Sequence, residues 1–235
     1  MSANIYIDAR FNGPPHGGNG GYAAGLIAAA IGQNVAVRLL QRVPLNRDLS
    51  IAPRSGERWE VRDGEQLIAT AARTSLQTDV PAAPSYVDAL EASKNYAGFN
   101  QQVFPSCFVC GPARQRDDGL RIFPGFVPGT GVVAAPWLPG SPLDDGTGKV
   151  RPEFIWAALD CPGYFASFNS GTPALLGELS VHIDRLVHVD EPCVVIGWRI
   201  LLEGRKCRAG TALFDEDGER CALGVATWVE RRATQ

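Results

Sequence analysis

A chain of 235 residues and 25.2 kDa, 45% hydrophobic and 20% charged, can fill a core of its own and is not a disordered sequence. Lys plus Arg number 22 and Asp plus Glu 25, a net charge of −3 that gives no electrostatic footprint for nucleic acid but leaves room for a local basic patch. The longest apolar stretch, Tyr22 to Ile31, falls far short of the roughly 20 residues of a membrane span, and the first residues lack the basic and long apolar regions of an export signal. A cytoplasmic protein with neither a nucleic-acid nor a membrane partner is expected.

Ile5 to Phe11 alternates and reads as a strand. Asn12 to Gly21 is too rich in Gly and Pro for helix or strand. Tyr22 to Ile31 is apolar nearly all round, its alanines favour helix, and Gly32 is a stop signal. Such a helix must be wrapped by other elements. Strand-like runs follow at Val35–Val43, Leu49–Ala52, Arg58–Arg62 and Gln66–Ser75, with Asp63-Gly64 as a tight hairpin turn. Residues 76–106 read as a linker. Beyond it, Leu120–Phe123 and Val132–Trp137 are expected strands, and Phe154–Asp160 an expected helix with Pro152 near its first turn. Leu175–Val187, Cys193–Glu203, Arg205–Asp215 and Arg220–Val229 are the closing strands, the last pair joined at Asp217-Gly218.

Strand, Gly/Pro loop, buried helix and antiparallel meander thus occur twice, and an internal duplication is the simplest architecture. The expected modules are 1–98 and 99–235. Each is an α+β unit, a curved antiparallel sheet wrapped on a central helix, so the chain holds two such sheets. Six cysteines without an export signal read as reduced thiols. Cys107 and Cys110 have half the spacing of a zinc site. No second Cys or His pair follows at metal spacing, the nearest cysteine being Cys161, so no metal is expected. His182 and His188, on strand-like runs, read as structural.

Cys107-Phe108-Val109-Cys110-Gly111-Pro112 followed by Asp118-Gly119-Leu120, and later Ala157-Ala158-Leu159-Asp160, resemble hotdog-fold acyl-CoA thioesterases of the phenylacetate-pathway type. Gly20-Gly21-Tyr22 and the helix after it are similar to the helix start of the double-hotdog acyl-CoA thioesterase II class. The resemblance implies a double hotdog that hydrolyses an acyl-CoA thioester, with CoA entering only as part of the substrate and no cofactor. It implies that Asp160 is the catalytic acid and that the amide of Gly20 or Gly21, at the positive end of a helix, polarises the thioester carbonyl.

In the family a His-Gly-Gly start lies about nine residues before the acid; here Arg151, Pro152 and Glu153 stand at that distance from Asp160. Pro152 has no N–H to donate. The first half has His16-Gly17-Gly18 and Asn19-Gly20-Gly21, but Gly25 and Ala28 where an acid would stand. Each half lacks what the other holds, so one composite site is expected. The resemblance nominates Glu178 or Ser180, and Thr227, as assisting groups, and His16, Gly17, Gly18, Asn19, Tyr22 and Trp156 beside the substrate. Arg54, Arg58, Arg205 and Lys206 are candidates for CoA phosphates. Exposed edge strands suggest a homo-oligomer of such chains. The rival expectation is a non-catalytic acyl-CoA or acyl-chain binding protein. A hydratase is set aside, because its Asp and His five residues apart before the helix have no match: Asp184 and His188 are four apart and follow it.

Overall fold

The computed structural model describes residues 3–32, 34–100, 104–168 and 172–231. The first half runs β1 (Ala3–Tyr6), α1 (Gly20–Ile31), β2 (Val35–Leu39), β3 (Asp48–Arg54), β4 (Arg58–Asp63) and β5 (Gln66–Arg73). After α2 (Tyr86–Ser93), the second half runs β6 (Gly125–Phe126), β7 (Val132–Trp137), α3 (Pro152–Ala158), α4 (Cys161–Ser167), β8 (Ala174–Ile183), β9 (Cys193–Glu203), β10 (Lys206–Phe214) and β11 (Arg220–Glu230). The strands pair in the order β1-β3-β4-β5-β2-β8-β11-β10-β9-β7-β6. With β6 set aside as a short edge hairpin, each half shows its strands in the order first, third, fourth, fifth, second.

The curved sheets expected of the two halves pair edge to edge into one sheet of 11 strands, antiparallel throughout. β2 and β8, each at the end of its own half, pair through Ala36–Ser180, Val37–Leu179 and Arg38–Glu178. Two rows of backbone groups that would otherwise be open edges are satisfied at this seam. Val37 and Leu179, both fully buried, put the core beneath it.

Several local expectations change. Asp8 accepts the Arg10 N–H and ends β1 at Tyr6 with a 3-10 turn over Ala9–Phe11. The stretch read as a linker contains α2, capped by the Ser85 side chain; its Ala89 and Ala92 are buried, and residues 101–103 lie outside the described residues. Leu120, Ile122 and Phe123 are buried but the run is not a strand: the exposed Arg121 takes φ 53°, and the Leu120 and Ile122 amides donate instead to the carbonyls of Phe108 and Val109 at 2.8 and 2.9 Å. The loop carrying the Cys-x-x-Cys run is further tied to the first half. The Phe108 amide donates to the Asn12 carbonyl at 2.8 Å, and the Arg114 guanidinium donates to the Arg10 carbonyl at 2.6 Å and to Asn12.

The helix of the second half is broken. Pro162 has no N–H, and its ring would collide with the Ala158 carbonyl in a continuous helix, so α3 stops at Ala158 and α4 starts at Cys161. α1 instead runs unbroken from its Asn19 cap to Gly32, whose φ is 100°. α1 and α3 cross antiparallel: Gly21 meets Trp156, Ala157 and Asp160, while Gly25, one turn on, meets Glu153.

A Cβ on Gly25 would sit 2.7 Å from the Glu153 Cα and 2.8 Å from the Trp156 Cβ. In an exposed helix Gly→Ala gains about 1 kcal/mol from propensity. Here Gly25→Ala should instead cost about 1–3 kcal/mol, because α3 must shift. Urea denaturation of this variant beside Ala30→Gln, on the exposed face of α1, measures it; a Gly25→Ala protein as stable as the parent would mean the helices are not so close.

Candidate active site

Asp160 occupies the break between α3 and α4. Three residues beyond Ala157 it keeps to the face of α3 that meets α1, and its carboxylate reaches the amino end of α1, from the other half of the chain. Its Oδ2 accepts the Gly21 N–H at 2.9 Å and the Asn19 Nδ2–H at 2.9 Å. The Asn19 Oδ1 meanwhile accepts the Tyr22 N–H at 2.8 Å, so one side chain both caps α1 and grips the acid. A Cβ on Gly21 would fall 2.6 Å from the Asp160 Cβ and 2.7 Å from the Trp156 carbonyl oxygen. Only glycine permits this approach.

Asp160 is 2% exposed, and its Oδ1 has no hydrogen-bond partner among the described residues. Burial pushes its pKa up to about 7; the Gly21 amide pulls the other way, Cys107 adds to the rise, and Asn19 opposes it. Near neutrality the group is therefore available both as a base and as an acid, a property ordinary carboxylates lack.

Asp160 lines a cavity of about 80 Å³, room for several waters or a small acyl group. Gly20, Tyr96, Phe165, Cys107 and Trp228 share its wall. The Gly20 N–H, first of the helix, makes no hydrogen bond among the described residues. It is an unspent donor at the positive end of α1. The Gly21 amide, by contrast, is occupied by the acid.

Asp160, Asn19, Gly20 and Gly21 thus come together. The other nominated residues do not join them. His16 is an exposed turn residue with φ 59°. Gly17 packs against the Arg42 side chain, and the Gly18 amide donates to the Val43 carbonyl at 2.9 Å. Tyr22 stacks on Phe11 with ring centroids 4.1 Å apart, and Trp156 is buried in the main core. Glu178, Ser180 and Thr227 alternate with buried Leu179, Ala226 and Trp228, so they lie on the opposite face of the sheet. Glu178 pairs there with Arg38 at 2.9 Å. A one-residue step in a strand reverses the face, and proximity in sequence to the helix gave no information on it.

One contributor escaped the sequence reading and another was set aside by it. Tyr96, from the stretch read as a linker, reaches the cavity and donates its hydroxyl to the Cys110 carbonyl at 3.0 Å. Cys161, beside the acid, arrives next to Cys107 and Cys110. Only the break at Pro162 could have signalled it.

A groove beyond Pro112, which it shares with the cavity, is lined by Arg10, Arg114, Arg116 and Arg121 against Asp117 and Asp190. Arg116 is exposed and makes no ion pair or hydrogen bond among the described residues. Arg54 and Arg205 lie outside both hollows, tied to Glu60 at 2.6 Å and to the Glu230 carbonyl at 3.2 Å; Arg58 and Lys206 also line neither. Among the described residues no helix is long and apolar enough to cross a membrane.

No protein-family model and no curated protein matches the sequence. Solved structures do match over the whole chain. A candidate thioesterase from Novosphingobium aromaticivorans is 13% identical with a TM-score of 0.59, covering 98% of this chain and 96% of that one. The TesB protein of Mycobacterium avium subspecies paratuberculosis is 12% identical with a TM-score of 0.60, covering 98% and 93%. A conserved hot dog fold protein of unknown function from Alicyclobacillus acidocaldarius is 11% identical with a TM-score of 0.58, covering 99% and 94%. At these identities the likeness is one of fold: the chain has a hotdog-type fold along its full length.

Proposed function

We propose that the protein is a double-hotdog thioester hydrolase acting on a small acyl or aryl group carried by CoA, at a single composite site. The observation that carries this reading is the meeting of the α1 amino end with the buried Asp160 carboxylate in one cavity. One of the full-length structural neighbours reported above bears a thioesterase name, which supports the same reaction class.

The thioester carbonyl oxygen is taken to lie against the Gly20 N–H, where the developing oxyanion gains a hydrogen bond and the helix dipole. The free Oδ1 of Asp160 orients a water and takes its proton as the water oxygen bonds to the carbonyl carbon. The C–S bond then breaks, and that proton passes to the departing thiolate. Asn19 and Gly21 do not touch the reacting atoms; they hold Oδ2 and so aim Oδ1. The arginine-lined groove supplies positive charge for the carrier's phosphates.

Thiol release from a panel of acyl-CoAs tests this. Asp160→Asn should lower kcat by about 10²–10⁴-fold, the usual share of a general base. Full turnover in that variant would overturn the reading. Arg116→Glu should raise KM by roughly five- to tenfold with kcat little changed, since it removes binding common to ground and transition states. An unchanged KM would remove the groove from the substrate's path.

The alternative, a protein that binds an acyl-CoA without turning it over, draws on one observation: Glu178, Ser180 and Thr227 face away from Asp160, so no hydroxyl or amide at those positions assists it. Saturable binding of acyl-CoA by calorimetry, with no thiol released by the wild-type chain, would favour it.

A further inference from the structure

Cys107, Cys110 and Cys161 come from two segments far apart in sequence, yet their sulfurs all lie within 4.8 Å of one another, and each is buried. The Cys107 and Cys161 sulfurs are 3.9 Å apart. A tetrahedral zinc ion with Zn–S bonds of about 2.3 Å sets its sulfurs about 3.8 Å apart. The spacing therefore suits a single ion with little movement, and it is too tight for several metal atoms. Buried cysteines that act as small hydrophobes have no reason to turn three sulfurs onto one point; Cys193, Cys207 and Cys221 lie elsewhere, on strands.

The backbone around Cys107 is shaped for the same purpose. Residues 107–110 form a tight turn closed by the Gly111 amide donating to the Cys107 carbonyl at 2.9 Å. A Cβ on Gly111 would come within 2.5 Å of the carbonyl oxygens of Cys107 and Pro105, so only glycine fits there. The turn brings the Cys107 and Cys110 sulfurs to one side, where Cys161 meets them.

We propose that Cys107, Cys110 and Cys161 form a binding site for one zinc-like divalent ion, with the fourth position open to the cavity that all three residues line. Such an ion would fasten the 105–111 loop to the first residue of α4, directly beside Asp160. Asn19 links the two centres, since its Nδ2 lies 2.9 Å from the Asp160 Oδ2 and 3.9 Å from the Cys107 sulfur. Three soft thiolates favour zinc over magnesium or calcium. The site stands independently of the hydrolase reading, because metal content is measured without substrate.

The test uses the full chain, expressed with zinc, purified under reductant without chelator and analysed for metal by mass spectrometry. One zinc per chain is expected. Anaerobic replacement by cobalt should give the near-ultraviolet thiolate-to-cobalt band and the intense visible bands of a tetrahedral thiolate site. Cys107→Ser, Cys110→Ser and Cys161→Ser should each lose these signals, whereas Cys207→Ser, in the buried interior of β10, should keep them. Wild-type protein that stays metal-free after loading, or a Cys107–Cys161 disulfide in protein kept under reductant, overturns the proposal whether or not the cysteine variants fold. So does equal loss of metal in Cys207→Ser.

Discussion

A carboxylate with two N–H groups from the opposite half of the chain is the constraint around which this molecule is organised. Removing an ion from water costs several kcal/mol, so Asp160 must be met by donors or remain protonated. The donors come from Asn19 and Gly21 alone. To deliver them, α1 must cross α3 at backbone contact, which fixes glycine at 21 and 25. That crossing needs the two halves held in one register, and the β2–β8 seam provides it by making one sheet from two. The seam, the glycine pair and the acid are one arrangement seen at three distances.

The duplication has been used asymmetrically. α1 is long, capped by a side chain and ended by a glycine. α3 begins at Pro152 with no side-chain cap and stops after seven residues. Where the pseudo-symmetric counterpart of the acid would lie, as far from the Asn19 cap as Asp160 is from Arg151, α1 offers Ala28, buried and with no carboxylate. The amino end of α3 is buried at Glu153, and its far end runs into the break at which Asp160 stands.

Much of the fold was legible because it rests on local patterns. The bounds of β7 and β9 were read residue for residue, since runs such as Val132–Trp137 and Cys193–Glu203 are bounded by turn residues on both sides. The repeat was visible because its order of elements recurs. α2 was hidden by the prolines around it, although Ser85 caps it in the ordinary way. α4 was hidden because Pro162 and Gly163 look like breakers, when Pro162 at the second helical position is compatible with a helix that starts there. The pairing of Asp160 with Gly20 and Gly21 was anticipated from a motif rather than from periodicity. That Gly21 would spend its amide on the acid, leaving Gly20 as the free donor, depends on coordinates. The face on which Glu178, Ser180 and Thr227 lie depends on strand register, which a single sequence specifies only through its neighbours' burial.

The acid, its donors and the three thiols all sit off the strands. Asn19 and Gly20 stand at the start of α1, Cys107 and Cys110 in the loop before β6, and Asp160 and Cys161 at the break before α4. The sheet's part is to hold three irregular segments at one point, with the Arg114 contacts and the Phe108–Asn12 hydrogen bond drawing the second-half loop onto the first. Irregular backbone can be buried only if its own amides and carbonyls are satisfied. Here the segments satisfy one another: Phe108 with Asn12, Leu120 with Phe108, Gly21 with Asp160. The same hydrogen bonds that make these segments tolerable inside the protein therefore set the distances between the acid, the free amide and the thiols, so the chemistry of the site is fixed by the requirements of burying it.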